Sequence, residues 1–220
     1  VTNGEETLPF VLSGPALARD TLAGWQHWCR TRDSFAPAPV MDRATFRLLN
    51  RRKKMLHNLR RTATHANLPL LDTPMSLVVE KLLTGRIENN ALKMKPTTRA
   101  GVMGSGGGYQ GKTECVCEIA AAFQERWLAL HDHLNPDAHP GSRDLHVPVA
   151  YAQTPVTAKP KSTCKAILDF FGAPIGRRTD LPDLNRQVAA SLREHGTRVL
   201  ILDDITRLRL HRADDQDTLA

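Results

Sequence analysis

The sequence predicts an α/β fold, a parallel sheet flanked by helices, preceded by a helical and basic N-terminal region. Three observations carry this. After residue 98 the pattern alternates in the order strand, helix, strand, helices, strand. The run Val199, Leu200, Ile201, Leu202 is continuously apolar, as in a strand buried on both faces. A glycine-rich segment at residues 106–113 lies where a strand at 99–103 should pass into a long helix.

Taken in order, residues 15–32 read as a helix, because Leu22, Trp25, Trp28 and Cys29 recur at helical spacing before Pro37 and Pro39 interrupt it. Asp42 can cap a second helix running through to Arg61, with Phe46, Leu49, Leu56 and Leu59 on its apolar side. A short helix at 75–83 carries Val78, Val79, Leu82 and Leu83 and should stop at Gly85, leaving 88–98 as a polar connection. From Lys112 a long amphipathic helix buries Val116, Ile119, Ala120, Phe123, Trp127 and Leu130. Residues 131–144 read as an exposed loop, and 147–152 as a strand. Helices follow at 162–171 and 182–195, stopped by Gly172 and Gly196, and the strand at 199–202 ends the pattern. The division expected is a helical, basic region at 1–73 and an α/β core at 74–220.

The 220 residues are 41% hydrophobic and 24% charged, ordinary for a soluble globular chain. No run of about 18 uncharged apolar residues exists and the start lacks the form of a secretory signal, so no membrane association and a cytoplasmic location are expected. Cys29, Cys115, Cys117 and Cys164 form no Cys-x-x-Cys pair and suggest neither a zinc site nor a disulfide framework, and Cys115 and Cys117 read as reduced packing residues on one helix. His131, His133 and His139 read as solvated loop residues rather than metal ligands. The net charge is +7, yet Arg43, Arg47, Arg51, Arg52, Lys53, Lys54, Arg60 and Arg61 alone exceed that surplus, with no acid among them. Attraction to nucleic acid is therefore concentrated in the N-terminal part, with Arg47, Arg51, Arg52, Lys53 and Lys54 as the candidate contacts. A solvated charged face is the plain alternative.

The chemistry sits in two motifs. Gly106, Gly107, Gly108, Tyr109, Gln110, Gly111, Lys112 and Thr113 match G-x-x-x-x-G-K-[ST], the phosphate-binding loop known as Walker A. Glycines let successive N–H groups converge on phosphate oxygens at the positive end of a helix. Lys112 reaches the terminal phosphates, the Thr113 hydroxyl can ligate Mg²⁺, and Glu114 closes the cofactor-binding set. The apolar run 199–202 followed by Asp203 and Asp204 has the form of a Walker B strand, with Asp203 in the metal shell and Asp204 orienting or polarising water; a helix cap is the alternative for Asp204. Lys112 and Asp204 are thus the catalytic candidates, and Thr113 and Asp203 the metal candidates.

Between those motifs stand Val149, Ala150, Tyr151, Ala152, Gln153, Thr154 and Pro155, then Phe171, Gly172, Ala173 and Pro174, then Gly196, Thr197 and Arg198 leading into the second motif. Over residues 99–208 this order resembles the AAA+ ATPases of transposition called TniB, related to TnsC. The resemblance implies a P-loop NTPase core of AAA+ type, with ATP and Mg²⁺ as cofactors. It also implies a regulator that binds DNA, forms a homo-oligomer in a nucleotide-dependent way and couples target choice to a transposase. Two departures stand out. The family usually has Asp-Glu where this chain has Asp203 and Asp204, and its phosphate loop here carries extra glycines and Tyr109, so slow hydrolysis with switching on ATP binding is expected. The family also places sheet strands, a polar sensor, an arginine finger and a helical lid after Walker B, whereas only a short polar tail follows here. The expectation is a core whose C-terminal part is missing, whose gap a partner strand fills or whose site is weakened, and the opening on Val1 fits a fragment.

Other functions fit the same motifs: a P-loop signalling or defence ATPase whose N-terminal helices bind protein, or a nucleotide-binding module without turnover. Nucleotide-dependent assembly on DNA separates the first function from both.

Overall fold

The computed structural model describes residues 17–68, 70–95, 97–108, 110–137, 145–155, 159–176 and 178–205. In chain order its elements are α1 (Leu22–Thr31), α2 (Arg43–Leu48), α3 (Arg51–Ala66), α4 (Pro74–Ala91), α5 (Lys112–Leu134), β1 (Val149–Gln153), α6 (Pro160–Phe170), α7 (Leu181–Glu194) and β2 (Val199–Asp203). The described residues form a helix-rich α/β structure with a two-stranded parallel sheet. None of the helices among the described residues is long and apolar enough to cross a membrane.

Strands β1 and β2 pair from Val149 opposite Val199 to Gln153 opposite Asp203. Two parallel strands need a crossover, and α6 and α7 supply it, α6 packing on both α7 and β1. Pro160 in the first turn of α6 and Asp180 at the N-cap of α7, accepting from the Asp183 N–H at 2.9 Å, fix where those helices begin. Gly172 and Gly196 end them with φ of +66° and +64°, a conformation costly for any residue with a Cβ. Between α6 and α7, Cys164, Leu168 and Leu184 are buried, flanked by Ala173, Ile175, Leu181 and Val188.

Several sequence expectations are corrected. Residues 99–103 form no strand; they are exposed and carry no regular structure, because a strand exists only with a neighbour to hydrogen-bond, and Gly101 and Gly104 weaken any intrinsic preference. Strand β2 is not buried on both faces: Leu200 is 37% exposed, whereas Val149, Ala150, Tyr151 and Ala152 of β1 are all buried. Among the described residues β2 has a strand on one side only. Helix α4 runs through Gly85 to Ala91; Thr73 and Ser76 form a reciprocal capping box ahead of it, and one interior glycine costs only about 1 kcal/mol. Helix α5 continues to Leu134, so His131 and His133 are helical, and His131 stacks on His146 at 4.7 Å; His139 lies outside the described residues. Toward the same end Leu130 of α5 is exposed, and Trp127 is only partly buried, with the Arg198 guanidinium 5.7 Å from its ring centroid.

The chain divides into two compact units, one containing His27–Leu71 and the other Ala18–Gln26 with the described residues from Asp72 onward. In the first, the single basic helix expected from the sequence is two. Asp42 caps α2, accepting from the Thr45 N–H at 2.8 Å, but Asn50 is extended and caps a fresh helix, accepting from the Lys53 N–H at 2.9 Å. In the second unit α5 packs on α4 and on β1.

Leu184 is fully buried, so Leu184→Ala should destabilise the α/β unit by about 2–5 kcal/mol through lost contacts and a residual cavity, read from urea unfolding followed by circular dichroism.

Candidate functional site

The site begins at the N-terminus of α5. Gly111 is its N-cap with φ +68° and ψ +15°, and no side chain caps the helix. The first N–H groups of any α-helix lack intrahelical acceptors, and the aligned peptide dipoles make that end positive, so a 23-residue helix opens here on donors suited to an anion. The glycines just before it leave room. A Cβ at Gly106 would lie 2.5 Å from Gln110 Oε1, and one at Gly107 would lie 3.3 Å from Gln110 Nε2. The Gln110 amide therefore occupies the concavity that side chains at 106 and 107 would fill. Lys112 Nζ folds over the same loop, donating to Gly106 O at 3.2 Å and to Gly107 O. Gly108 borders open space, and Tyr109 lies outside the described residues.

The second half of the site comes from the sheet. Asp203 ends β2, and its Oδ2 accepts from Thr113 Oγ1 at 3.0 Å and from the Tyr151 hydroxyl at 2.8 Å. The backbone N–H of Asp204 donates to Asp203 Oδ1 at 2.9 Å. Register explains the Tyr151 contact: Tyr151 faces Ile201 and Gln153 faces Asp203, so alternate residues of both strands share one side of the sheet. Burial first, and then the bond to Asp203, push the Tyr151 phenol well above its ordinary range, which keeps it a donor. Asp204 has φ +56°, an uncommon conformation for a residue with a Cβ, and its Oδ2 accepts from Gln153 Nε2 at 3.2 Å. Cys117, one turn into α5, is pushed up to about 12 by burial and is an inert thiol here.

A third contributor is the segment Ala18–Gln26. The Arg19 guanidinium forms a two-pronged pair with Glu114, Nη1 to Oε2 at 2.9 Å and Nη2 to Oε1 at 2.5 Å. An acid in the first turn suits the helix dipole but would repel an anion bound there; Arg19 offsets it. Trp25 is fully buried, stacks on Tyr151 with centroids 6.2 Å apart and planes 6° apart, and donates from Nε1 to Gln124 Oε1 at 2.9 Å. Sequence reasoning gave Arg19 no role and read Trp25 only as a helix-packing residue. It quoted Tyr151 and Gln153 as landmarks without assigning them chemistry.

These donors fit the groups that the motifs imply. The Thr113 hydroxyl and Asp203 carboxylate are hard oxygens of the kind Mg²⁺ takes, and the glycine concavity with a bare helix N-terminus is the kind a polyphosphate takes. Among the described residues no three His, Cys, Asp or Glu side chains cluster as a self-sufficient metal site. That suits a cation whose remaining ligands come from phosphate oxygens and water.

In the other unit the basic residues divide by environment. Arg51, Arg52 and Lys53 are exposed in the first turn of α3, and Arg47 is exposed on α2. Lys54 is turned inward: its Nζ donates to Arg47 O at 2.9 Å and sits 6.0 Å from the Phe46 ring centroid. Phe46 in turn packs on His57, centroids 5.5 Å apart.

The family model described as Bacterial TniB protein matches residues 89–220, which include the glycine loop, both strands and Asp203. No curated protein and no solved structure matches the chain.

Because Gly111 is left-handed at the helix start, Gly111→Ala should cost about 1–2 kcal/mol of stability in urea unfolding, whereas Gly108→Ala, facing open space without positive φ, should cost less.

Proposed function

The chain belongs to the TniB family, and from that membership and the geometry above we propose that it is an ATP-dependent regulator of DNA transposition with a P-loop core of AAA+ type. One observation carries the proposal: Thr113, the residue after the phosphate-loop lysine, meets the Asp203 carboxylate at 3.0 Å across 90 residues of sequence. Two motifs that chemistry requires to converge on one Mg²⁺·nucleotide do converge.

In this function the loop N–H groups from Gly106 to Thr113, together with that of Glu114, hold the phosphates, and Lys112 moves its ammonium from the loop carbonyls to the terminal phosphate oxygens. Thr113 and Asp203 would hold Mg²⁺, which would supply neutralisation of phosphate charge. Asp204, fixed by Gln153, orients the attacking water. Its carboxylate is shorter than the glutamate usual in the family, which favours slow turnover and a switch driven by ATP binding. The exposed Arg51, Arg52 and Lys53, with Arg47, contact DNA phosphates, and the protein oligomerises on DNA in its ATP form to couple target choice to a transposase.

Sedimentation with and without ATP, Mg²⁺ and duplex DNA tests the whole: ATP-dependent assembly on DNA supports it, and nucleotide binding with neither assembly nor DNA occupancy favours a protein-binding P-loop ATPase instead. Lys112→Ala should lower ATP affinity by about ten- to a hundredfold in calorimetry, since it removes a charge-assisted donor. Asp204→Asn should leave that affinity intact and slow phosphate release. For DNA, replacing Arg51, Arg52 and Lys53 together by Ala should weaken binding and flatten its salt dependence. Lys54→Ala, whose ammonium caps α2, should change thermal stability more than the salt slope.

A further inference from the structure

We propose that Tyr151, gripped by Trp25, is a positioning residue that aims the Asp203 carboxylate at the metal position. The inference rests on the Mg²⁺·nucleotide assignment given above and goes beyond it by naming what holds the metal-side acid.

Asp203 Oδ2 has two donors among the described residues, and they differ in kind. Thr113 is itself a metal candidate, so its hydroxyl would turn a lone pair to the cation, and the geometry of its bond to Asp203 would depend on where that cation sits. Tyr151 has no such second duty. Its hydroxyl reaches Oδ2 at 2.8 Å from a ring that is 6% exposed, so it remains the constant hold on that oxygen.

That ring is held in turn. Trp25 lies parallel to it at 6.2 Å, within the range of favourable offset stacking, and is itself tied at Nε1 to Gln124 of α5, the helix that begins beside Thr113. One indole therefore connects the helix bearing Thr113 to the strand residue that steadies Asp203. Trp25 falls outside residues 89–220, so the segment 18–26 completes a site whose motif residues all lie inside the family match. Outer groups that orient a metal ligand commonly govern metal affinity by about ten- to a hundredfold, although they never touch the ion.

The test is Tyr151→Phe, which keeps the ring and its stacking on Trp25 and removes only the hydroxyl. Binding of a fluorescent non-hydrolysable ATP analogue is titrated with Mg²⁺, and repeated in EDTA. The expected result is unchanged circular dichroism, unchanged analogue affinity in EDTA, and a Mg²⁺ requirement raised by about tenfold. A Mg²⁺ requirement equal to that of the unsubstituted chain overturns the role of Tyr151 and leaves the nucleotide assignment standing. Weaker binding in EDTA to the same degree as in Mg²⁺ also overturns it, since that marks a general structural effect. If the unsubstituted chain itself binds the analogue without any response to Mg²⁺, the metal assignment falls and the inference falls with it.

Discussion

The Thr113–Asp203 hydrogen bond can form only if the N-terminus of α5 and the carboxyl end of β2 meet, and much of the fold serves that meeting. The β1–β2 pairing puts Asp203 level with Gln153, and the Thr154 N–H bonds Asp203 O at 2.9 Å, so the strand end cannot fray without releasing the acid. Helix α5 packs on β1 and buries Ile119, Ala120 and Phe123, which anchors it beside the sheet. Phosphoryl transfer, the chemistry proposed for this site, depends largely on where charges are held, so the proposal asks for positioning more than reactivity.

Electrostatics explains why the site recruits residues beyond its motifs. A helix N-terminus with Glu114 in the first turn carries both an attraction and a repulsion for phosphate, and Arg19 neutralises the second. Asp203 carries a negative charge that must point in one direction, and three donors, Thr113, Tyr151 and the Asp204 N–H, divide its two oxygens between them. Each donor belongs to a different part of the chain, so the carboxylate direction reports on the packing of all three.

Much of this was legible in the sequence. The glycine loop, Lys112, Thr113, Asp203 and Asp204 were readable because their chemistry demands specific residue types at fixed spacing, and β1, α6, α7 and β2 because their periodicities and glycine stops are local. What was not legible depended on distant partners. Nothing local announces that Arg19 will find Glu114 or that Trp25 will lie on Tyr151, since a tryptophan at helical spacing looks the same whatever it packs on. Residues 99–103 look like a strand in isolation, yet pairing is a property of two segments. The break at Asn50 was readable in principle, because an asparagine ahead of Arg51 is a good cap, but the surrounding charge pattern masked it.

Amide hydrogen exchange read by mass spectrometry, with and without ATP and Mg²⁺, probes the convergence of the two motifs most directly. If one Mg²⁺·nucleotide lies between them, the amides of residues 106–114 and the end of β2 at 201–204 gain protection together, and only when both ATP and Mg²⁺ are present. Unchanged exchange in both segments at saturating ATP and Mg²⁺ would contradict a nucleotide site there.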